Sequence, residues 1–257
     1  MDPRARLWDW RLVLLLSLAV VAAGVALRLP AIPQDPAYHA FADQRTLLGV
    51  PNALNVLSNL PFVAVGFVGL RLVVAATGGA AWERAAFLIL FAGVTLTGAG
   101  SGYYHLAPST PALFWDRLPM TLAFMALFAL TLGERVGPRA GPWLLPLFLA
   151  AGLGSVVSWR SSELGGTGDL RLFGLVQFLP MVIMPLALLI YPRRWIPGAD
   201  LAAVVGWYAL SKVFEALDPQ IYALGGIVSG HTLKHLAAAT ATAWILCLAA
   251  GWRRARG

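Results

Sequence analysis

The stretch GAGSGYYHLAPSTPALFWDRLPM, Gly98–Met120, separates two long apolar runs at about 82–104 and 113–132. A helix that crosses the hydrocarbon of a bilayer needs about 20 mostly apolar residues, and each run is of that length. The break between the runs is short and contains proline, which ends one helix and begins the next. The stretch therefore predicts an antiparallel pair of membrane-spanning helices.

The composition of the whole chain agrees with this prediction. Of the 257 residues, 59% are hydrophobic and 12% are charged, and the mean hydropathy is +0.73. Soluble domains carry about 25% charged residues, so a soluble fold of this length is excluded. The net charge of +7 is typical of basic cytoplasmic loops, and no basic cluster with exposed aromatics predicts a nucleic-acid partner. The single cysteine, Cys247, has no partner for an intramolecular disulfide.

Apolar runs of similar length recur along the chain and predict about eight spans, hence an all-α polytopic membrane helix bundle. They cover about 11–29, 53–75, 82–104, 113–132, 142–159, 171–190, 200–217 and 229–251. The first run resembles a signal peptide because basic residues precede it. We favour a retained helix, since the run is long and no small-residue cleavage site follows it.

The distribution of lysine and arginine predicts the orientation of the bundle. With the N-terminus inside, the outer loops hold few basic residues: Arg28, Arg45, Arg160 and Arg171. The inner segments hold many more: Arg4, Arg6, Arg11, Arg71, Arg84, Arg135, Arg139, Arg193, Arg194, Arg253, Arg254 and Arg256. We therefore expect both termini to be cytoplasmic.

This topology brings polar residues from three distant segments to the outer side. Ser101 and His105 lie at the outer end of the third span, and Asp116 lies at the outer start of the fourth. The last span begins outside with His231 and His235. Residues four apart on a helix share one face, so the members of each pair, Ser–His and His–His, point the same way.

Three histidines with an open fourth position are the ligand set of a catalytic zinc site. His105, His231 and His235 are the expected zinc ligands. Asp116 is the expected proton acceptor for an activated water, and Ser101 the expected hydrogen-bond partner of the water or the oxyanion. Ionisable residues at membrane depth are costly, so function is the default interpretation for them.

Structural explanations compete for single members of this set. Asp116 could form an interfacial ion pair with Arg117, and Ser101 could be a small packing residue among glycines. His39, the fourth of four histidines, is expected at the surface of the first outer loop.

Other polar residues have simpler interpretations. Lys234 is expected to extend toward the outer interface. Glu215 and Lys212 are expected to pair at a helix end, although Glu215 could support the metal ligands. Interhelical hydrogen bonding explains a polar stripe on the second span at least as well as function does; the stripe consists of Asn52, Asn55 and Asn59, with Ser58 nearby.

The segments SNLPF, GSGYYH, WDRLPM and SGHTLKHL resemble the alkaline ceramidase family. Its superfamily of seven-helix membrane hydrolases also includes adiponectin-receptor-like proteins and proteins that remodel glycosylphosphatidylinositol lipids. The resemblance implies a seven-helix hydrolase core within 41–250 and one extra N-terminal transmembrane helix at 11–29, in a single integral membrane domain, 1–257. It also implies zinc on the three histidines and hydrolysis of a ceramide amide to a fatty acid and a sphingoid base. The acidic calcium site that the family carries before its first core helix is depleted here, where FADQR keeps Asp43.

Four alternatives remain at this point. A lipid esterase on the same scaffold would have the same sequence pattern. A non-enzymatic receptor or interaction protein with a structural zinc would need a fourth protein ligand, which Asp116 could supply. A haem carrier needs histidines on opposite sides of the haem, whereas His231 and His235 share a face. An intramembrane serine protease would use Ser101, but AGSG lacks the first glycine of the usual signature.

Overall fold

The described residues, 9–192 and 195–256, form a bundle of long helices with no strand in the computed structural model. The all-α polytopic membrane bundle is thereby confirmed. Side chains are described as far as Arg254. Of the basic residues used for the orientation, Arg4, Arg6, Arg193 and Arg194, with the side chain of Arg256, lie outside the described part.

The helices are α1 Trp10–Arg28, α2 Ala53–Leu57, α3 Leu60–Val74, α4 Ala81–Leu106, α5 Thr110–Arg135, α6 Gly141–Leu164, α7 Arg171–Ile190, α8 Gly198–Ala216, α9 Asp218–Ala223 and α10 Gly230–Arg256. A 3-10 turn, Pro36–His39, lies in the loop between α1 and α2. Helix α10 packs along α8 and α3, and α5 packs between α4 and α6. Helix α1 packs against α7, and its Leu15 belongs to the buried apolar core.

Seven helical segments of the described chain are long and apolar enough to cross a membrane, with α2 and α3 counted together. The span predicted at 200–217 forms helix α8 but is not among them. Asp200, Lys212 and Glu215 lie within its 19 residues, which lowers its apolar character. Helix α8 packs along α10, so its polar side chains have partners inside the bundle.

The turn between α4 and α5 is built by local capping. The Ser109 side chain accepts a hydrogen bond from the backbone N–H of Ala112, and Pro111 occupies the first turn of α5. Both features begin a helix without an unsatisfied N–H group. The two helices thus reverse direction over Ala107–Ser109 and run antiparallel, as the sequence predicts.

Helices α4 and α5 approach each other closely because α4 carries glycine at the contact. A Cβ at Gly93 would lie 2.8 Å from the backbone nitrogen of Ala123, and one at Gly100 would collide with the carbonyl of Trp115. Small residues at a membrane helix interface permit this backbone contact. Because Ser101 follows Gly100 and Asp116 follows Trp115, this contact brings Ser101 close to Asp116.

Candidate metal centre

Three histidines converge at one end of the bundle. His105 lies in the last turn of α4, and His231 and His235 lie in the first turns of α10. One ligand nitrogen from each ring lies within 4.8 Å of the others, and all three residues are buried. The structure therefore brings together the three predicted metal ligands in a geometry that could hold a metal ion.

The spacing of the nitrogens fits a tetrahedral ion. Zinc–nitrogen bonds of about 2.0–2.1 Å place two ligand nitrogens about 3.3–3.4 Å apart. Nε2 of His105 and Nε2 of His231 are 3.3 Å apart. A cation between them would accept a lone pair from each nitrogen.

A hydrogen bond fixes the ring of His235. The hydroxyl of Ser58 lies 2.8 Å from Nδ1 of His235 and 3.1 Å from the carbonyl of Asn55, and the amide nitrogen of Asn59 lies 3.4 Å from the same Nδ1. In the tautomer that carries its proton on Nδ1, the ring donates to Ser58 and Nε2 keeps the lone pair that a metal needs. Metal-binding histidines commonly carry such a partner on the second nitrogen. Nδ1 of His105 has no partner in the described part of the protein.

The start of α10 is anchored by a buried carboxylate. Oδ1 of Asp218 accepts from the backbone N–H of His231 at 2.7 Å, and Oδ2 accepts from the backbone N–H of Ala42 at 2.9 Å. Asp218 is only 7% exposed. One carboxylate therefore positions His231 and ties the loop before α2 to α10.

That loop covers the histidines with an aromatic ring. The ring of Phe41 lies 4.7 Å from the ring of His105 and 4.4 Å from that of His231, measured between centroids. His39 anchors the loop, since Nδ1 bonds the hydroxyl of Tyr104 at 2.8 Å and Nε2 bonds that of Thr110 at 3.0 Å. His39 is half-buried and bonded rather than a free surface residue. Burial lowers its pKa, and the charge of Arg117 lowers it further.

Ser101, Asp116 and His235 line one cavity of about 270 Å³. Ser101 is buried, Asp116 is half-buried, and the hydroxyl of Ser101 is within hydrogen-bonding reach of the Asp116 carboxylate. The converging ligand atoms found among the described residues belong to the three histidines, and Asp116 is not part of that group. All five predicted site residues thus lie in one region, and Asp116 borders the cavity without being part of the histidine group.

The same cavity contains a charged cluster, of which the sequence predicts one pair. Oε1 of Glu215 binds Nζ of Lys234 at 2.6 Å, and Oε2 binds Nζ of Lys212 at 2.6 Å. The hydroxyl of Tyr38 also donates to Oε1, at 3.2 Å. The predicted pair of Glu215 and Lys212 is confirmed. The prediction that Lys234 extends to the interface is wrong, because the half-buried carboxylate of Glu215 offers its ammonium group a partner inside the bundle.

Arg117 does not form the ion pair considered for it. Within the described residues, no carboxylate lies at ion-pair distance from its guanidinium. The guanidinium carbon lies 4.3 Å from the ring centroid of Trp159 and 4.5 Å from that of Phe173. Its Nη2 donates to Oε1 of Gln34 at 2.7 Å. The guanidinium is therefore held between two rings at the cavity wall.

The polar stripe on the second span joins helices, as hydrogen bonding predicts. Asn52 donates to the carbonyl of His105 at 2.9 Å, and Oδ1 of Asn55 accepts from the hydroxyl of Thr232 at 2.9 Å. These bonds link α2 to α4 and α10, the two helices that carry the histidines. Only the repeat of polar residues in the string PNALNVLSNLPF, residues 51–62, signals this role in the sequence.

Asp43, the acidic residue retained before the first core helix, is engaged by an arginine. Nε and Nη2 of Arg45 donate to its two carboxylate oxygens, each at 2.8 Å, and Nη2 also donates to the carbonyl of Ile227 at 2.7 Å. The hydrogen bond from Arg45 holds the pKa of Asp43 below its ordinary value. This pair joins the loop before α2 to the loop before α10.

Comparison with known proteins agrees with the geometry. The model of the family described as Ceramidase matches residues 49–186, which include Ser101, His105 and Asp116 but end before the histidines of α10. A search of curated proteins returned no match. The matched segment covers more than half of the chain, and the structure brings the α10 histidines to it. The chain belongs to the ceramidase family.

Proposed function

We propose that the protein is a zinc-dependent intramembrane hydrolase that cleaves the amide of a ceramide-like lipid to a fatty acid and a sphingoid base. The observation that carries this proposal is the convergence of three buried histidines beside a cavity that also holds Asp116 and Ser101. A structural zinc site is normally closed by four protein ligands. The position of Asp116 outside the ligand group supports an open, catalytic site rather than a receptor with structural zinc.

His105, His231 and His235 would hold the zinc. When bound, zinc supplies a Lewis acid that polarises a carbonyl and lowers the pKa of a water. Asp116 would accept the proton of the attacking water and deliver it to the leaving amine. Ser101, which lines the cavity beside Asp116, would hydrogen-bond the attacking water or donate to the oxyanion as charge develops.

A second, apolar cavity supports a lipid as substrate. It measures about 110 Å³ and is bordered by apolar side chains of α3, α4, α5, α7, α8 and α10. The two cavities share five wall residues, namely Phe62, Thr97, Met120, Tyr208 and Ala238. An acyl chain could therefore extend from the polar cavity into the apolar one, where burial of methylene groups favours binding.

The proposed orientation puts the site toward the outer face and both termini in the cytoplasm. The site lies at the end of α4 and the starts of α5 and α10. Arg84, Arg135, Arg253 and Arg254 lie at the opposite ends of the same helices, which agrees with the positive-inside rule. In this proposal the hydrolase core within 41–250 and the extra helix form one integral membrane domain, and substrate enters from the bilayer.

The test combines elemental analysis of detergent-purified protein with detection of fatty acid released from ceramide. We expect about one zinc per chain, lost together with turnover in His231→Ala. Asp116→Asn should retain the metal and lose turnover by about 10²-fold or more. Asp169→Asn is the matched control, since Asp169 lies in an outer loop, where it pairs with Arg171.

Absence of stoichiometric metal, after controls for stripping during purification, would contradict the zinc site. Full turnover in Asp116→Asn would remove that carboxylate from the reaction. Hydrolysis of an ester analogue in place of the amide, with the metal present, would establish the esterase alternative.

A further inference from the structure

We propose that the cavity beside Asp116 contains a subsite for a lipid oxyanion, a phosphate ester or a carboxylate, built on Arg117 and Lys234. The inference rests on the proposed function for its link to turnover, but the subsite itself is defined by contacts in the cavity.

Arg117 has a buried guanidinium group with one N–H donor that lacks an acceptor. Arg117 is 6% exposed and lines the cavity. Its Nη2 is occupied by Gln34, whereas Nη1 is buried and donates to no acceptor in the described part of the chain. A buried charged group without a full set of partners is costly. Nη1 lies within the cavity wall, and a turn of the guanidinium toward the cavity would let a ligand oxygen supply the missing acceptor.

The charged side chains on the cavity wall are unequal in number, with more cations than carboxylates. Three cationic side chains, Arg117, Lys212 and Lys234, face the cavity with two carboxylates, Asp116 and Glu215. One carboxylate is shared by both lysines, so the wall carries an excess of positive charge. A bound metal would add to that excess. A low-dielectric cavity with a net positive charge attracts an anionic ligand.

Helix α5 runs from the polar cavity to the apolar one. Met120 borders both cavities, and Ala123, Phe124 and Leu127 continue into the apolar one. Arg117 borders the polar cavity and precedes these residues on the helix. A lipid with its acyl chain among the apolar residues and its amide at Asp116 would therefore present its head group to Arg117. Planar guanidinium groups bind phosphate and carboxylate through paired hydrogen bonds.

The oxyanion has two possible sources, the head group of the substrate or the carboxylate of the fatty-acid product. Binding to the subsite is tested first, without turnover. Wild-type protein, Arg117→Gln, Arg117→Lys and Lys234→Met are titrated with dodecyl phosphate and with uncharged dodecanol. Arg160→Gln is the matched control. Arg160 lies in the last turns of α6, at the same end of the bundle as Arg117, and does not line the cavity.

We expect dodecyl phosphate to bind Arg117→Gln and Lys234→Met about tenfold or more weakly than wild type. Arg117→Lys, which keeps the charge, should recover part of the loss, and dodecanol should not distinguish the variants. Lys234→Met leaves Glu215 paired with Lys212 and so provides a second variant with an independent effect on folding. Equal binding of dodecyl phosphate to all variants with a normal zinc content would overturn the subsite.

Turnover then identifies the source of the oxyanion. If the head group supplies it, wild type should cleave ceramide 1-phosphate with a kcat/KM about tenfold or more above that of ceramide, and Arg117→Gln should lose that preference. If the product supplies it, inhibition by laurate should weaken in Arg117→Gln while both amides are cleaved alike. If neither amide is cleaved by the zinc-loaded protein, the proposed function fails, and dodecyl phosphate binding still decides the subsite.

Discussion

Removal of the Ser58 hydroxyl tests whether His235 binds a metal through Nε2. The hydroxyl of Ser58 lies 2.8 Å from Nδ1 of His235, which carries the ring proton if Nε2 binds the metal, and Ser58 is 6% exposed. Ser58→Ala therefore leaves a ring N–H without its partner at a site that water cannot readily reach. The variant changes no predicted metal ligand.

The magnitude follows from the cost of that lost bond. A neutral hydrogen bond contributes about 0.5–1.5 kcal/mol, and a buried donor left without a partner costs about 1–3 kcal/mol. A loss of about 1.4–2.8 kcal/mol in zinc binding weakens the affinity about 10- to 100-fold. Loss of a partner that orients a metal-binding histidine costs about the same in measured sites.

Zinc affinity is measured by competition with a chromophoric chelator in detergent. Ser155→Ala is the matched control, because Ser155 is also buried and donates to the carbonyl three residues earlier, at 2.7 Å, as Ser58 does. The control should bind zinc like wild type. A zinc affinity of Ser58→Ala within about twofold of wild type would refute the assignment of Nε2 of His235 as a ligand.

Three further predictions follow from contacts around the site. Asp218→Asn replaces one charged acceptor of the bonds to His231 and Ala42 by a donor, so we expect about 2 kcal/mol lower stability, seen as a lower melting temperature in detergent, and weaker zinc binding; unchanged melting would show that the anchor is dispensable. Ala238→Phe narrows the passage between the two cavities and should raise KM about tenfold for long-chain amides and little for short-chain ones, which a chain-length series measures; an equal effect on all lengths would contradict an acyl path there. The pKa of Asp43 is held below 3.8 by its bond with Arg45, so its contribution to stability is present above that pH and lost as the pH falls through the lowered value; the melting temperature of Arg45→Met should lie below that of wild type at neutral pH, and the difference should shrink on acidification.

Much of the fold follows from local properties of the chain. Apolar runs long enough to cross a bilayer, broken by proline, glycine and charge, predict a bundle of antiparallel helices, which the structure confirms. Helix α8 is the partial exception. Its apolar run predicts a span, but Asp200, Lys212 and Glu215 make the helix too polar to count as one by composition alone. The partners of these side chains include residues of other helices, such as Lys234 and Trp244 of α10.

The members of the site are also largely predictable, because their spacing is local. The separation of His231 and His235 by four residues puts them on one face of any helix, and the positions of the other residues at helix ends follow from the spans. Which histidine nitrogens face one another is not a local property. It depends on the close approach of α4 to its neighbours and on the bond between Ser58 and His235.

The sequence by itself determined that this is a membrane helix bundle and which five residues form its candidate site, since hydrophobic periodicity and helical spacing act over a few turns. Only the tertiary structure decided that Asp218 anchors His231 and that Lys234 turns inward to Glu215. It also decided that Arg117 packs between the rings of Trp159 and Phe173 instead of pairing with Asp116. The physical reason is that a buried charge takes the partner that desolvation leaves within reach. That partner is set by packing between helices far apart in the chain.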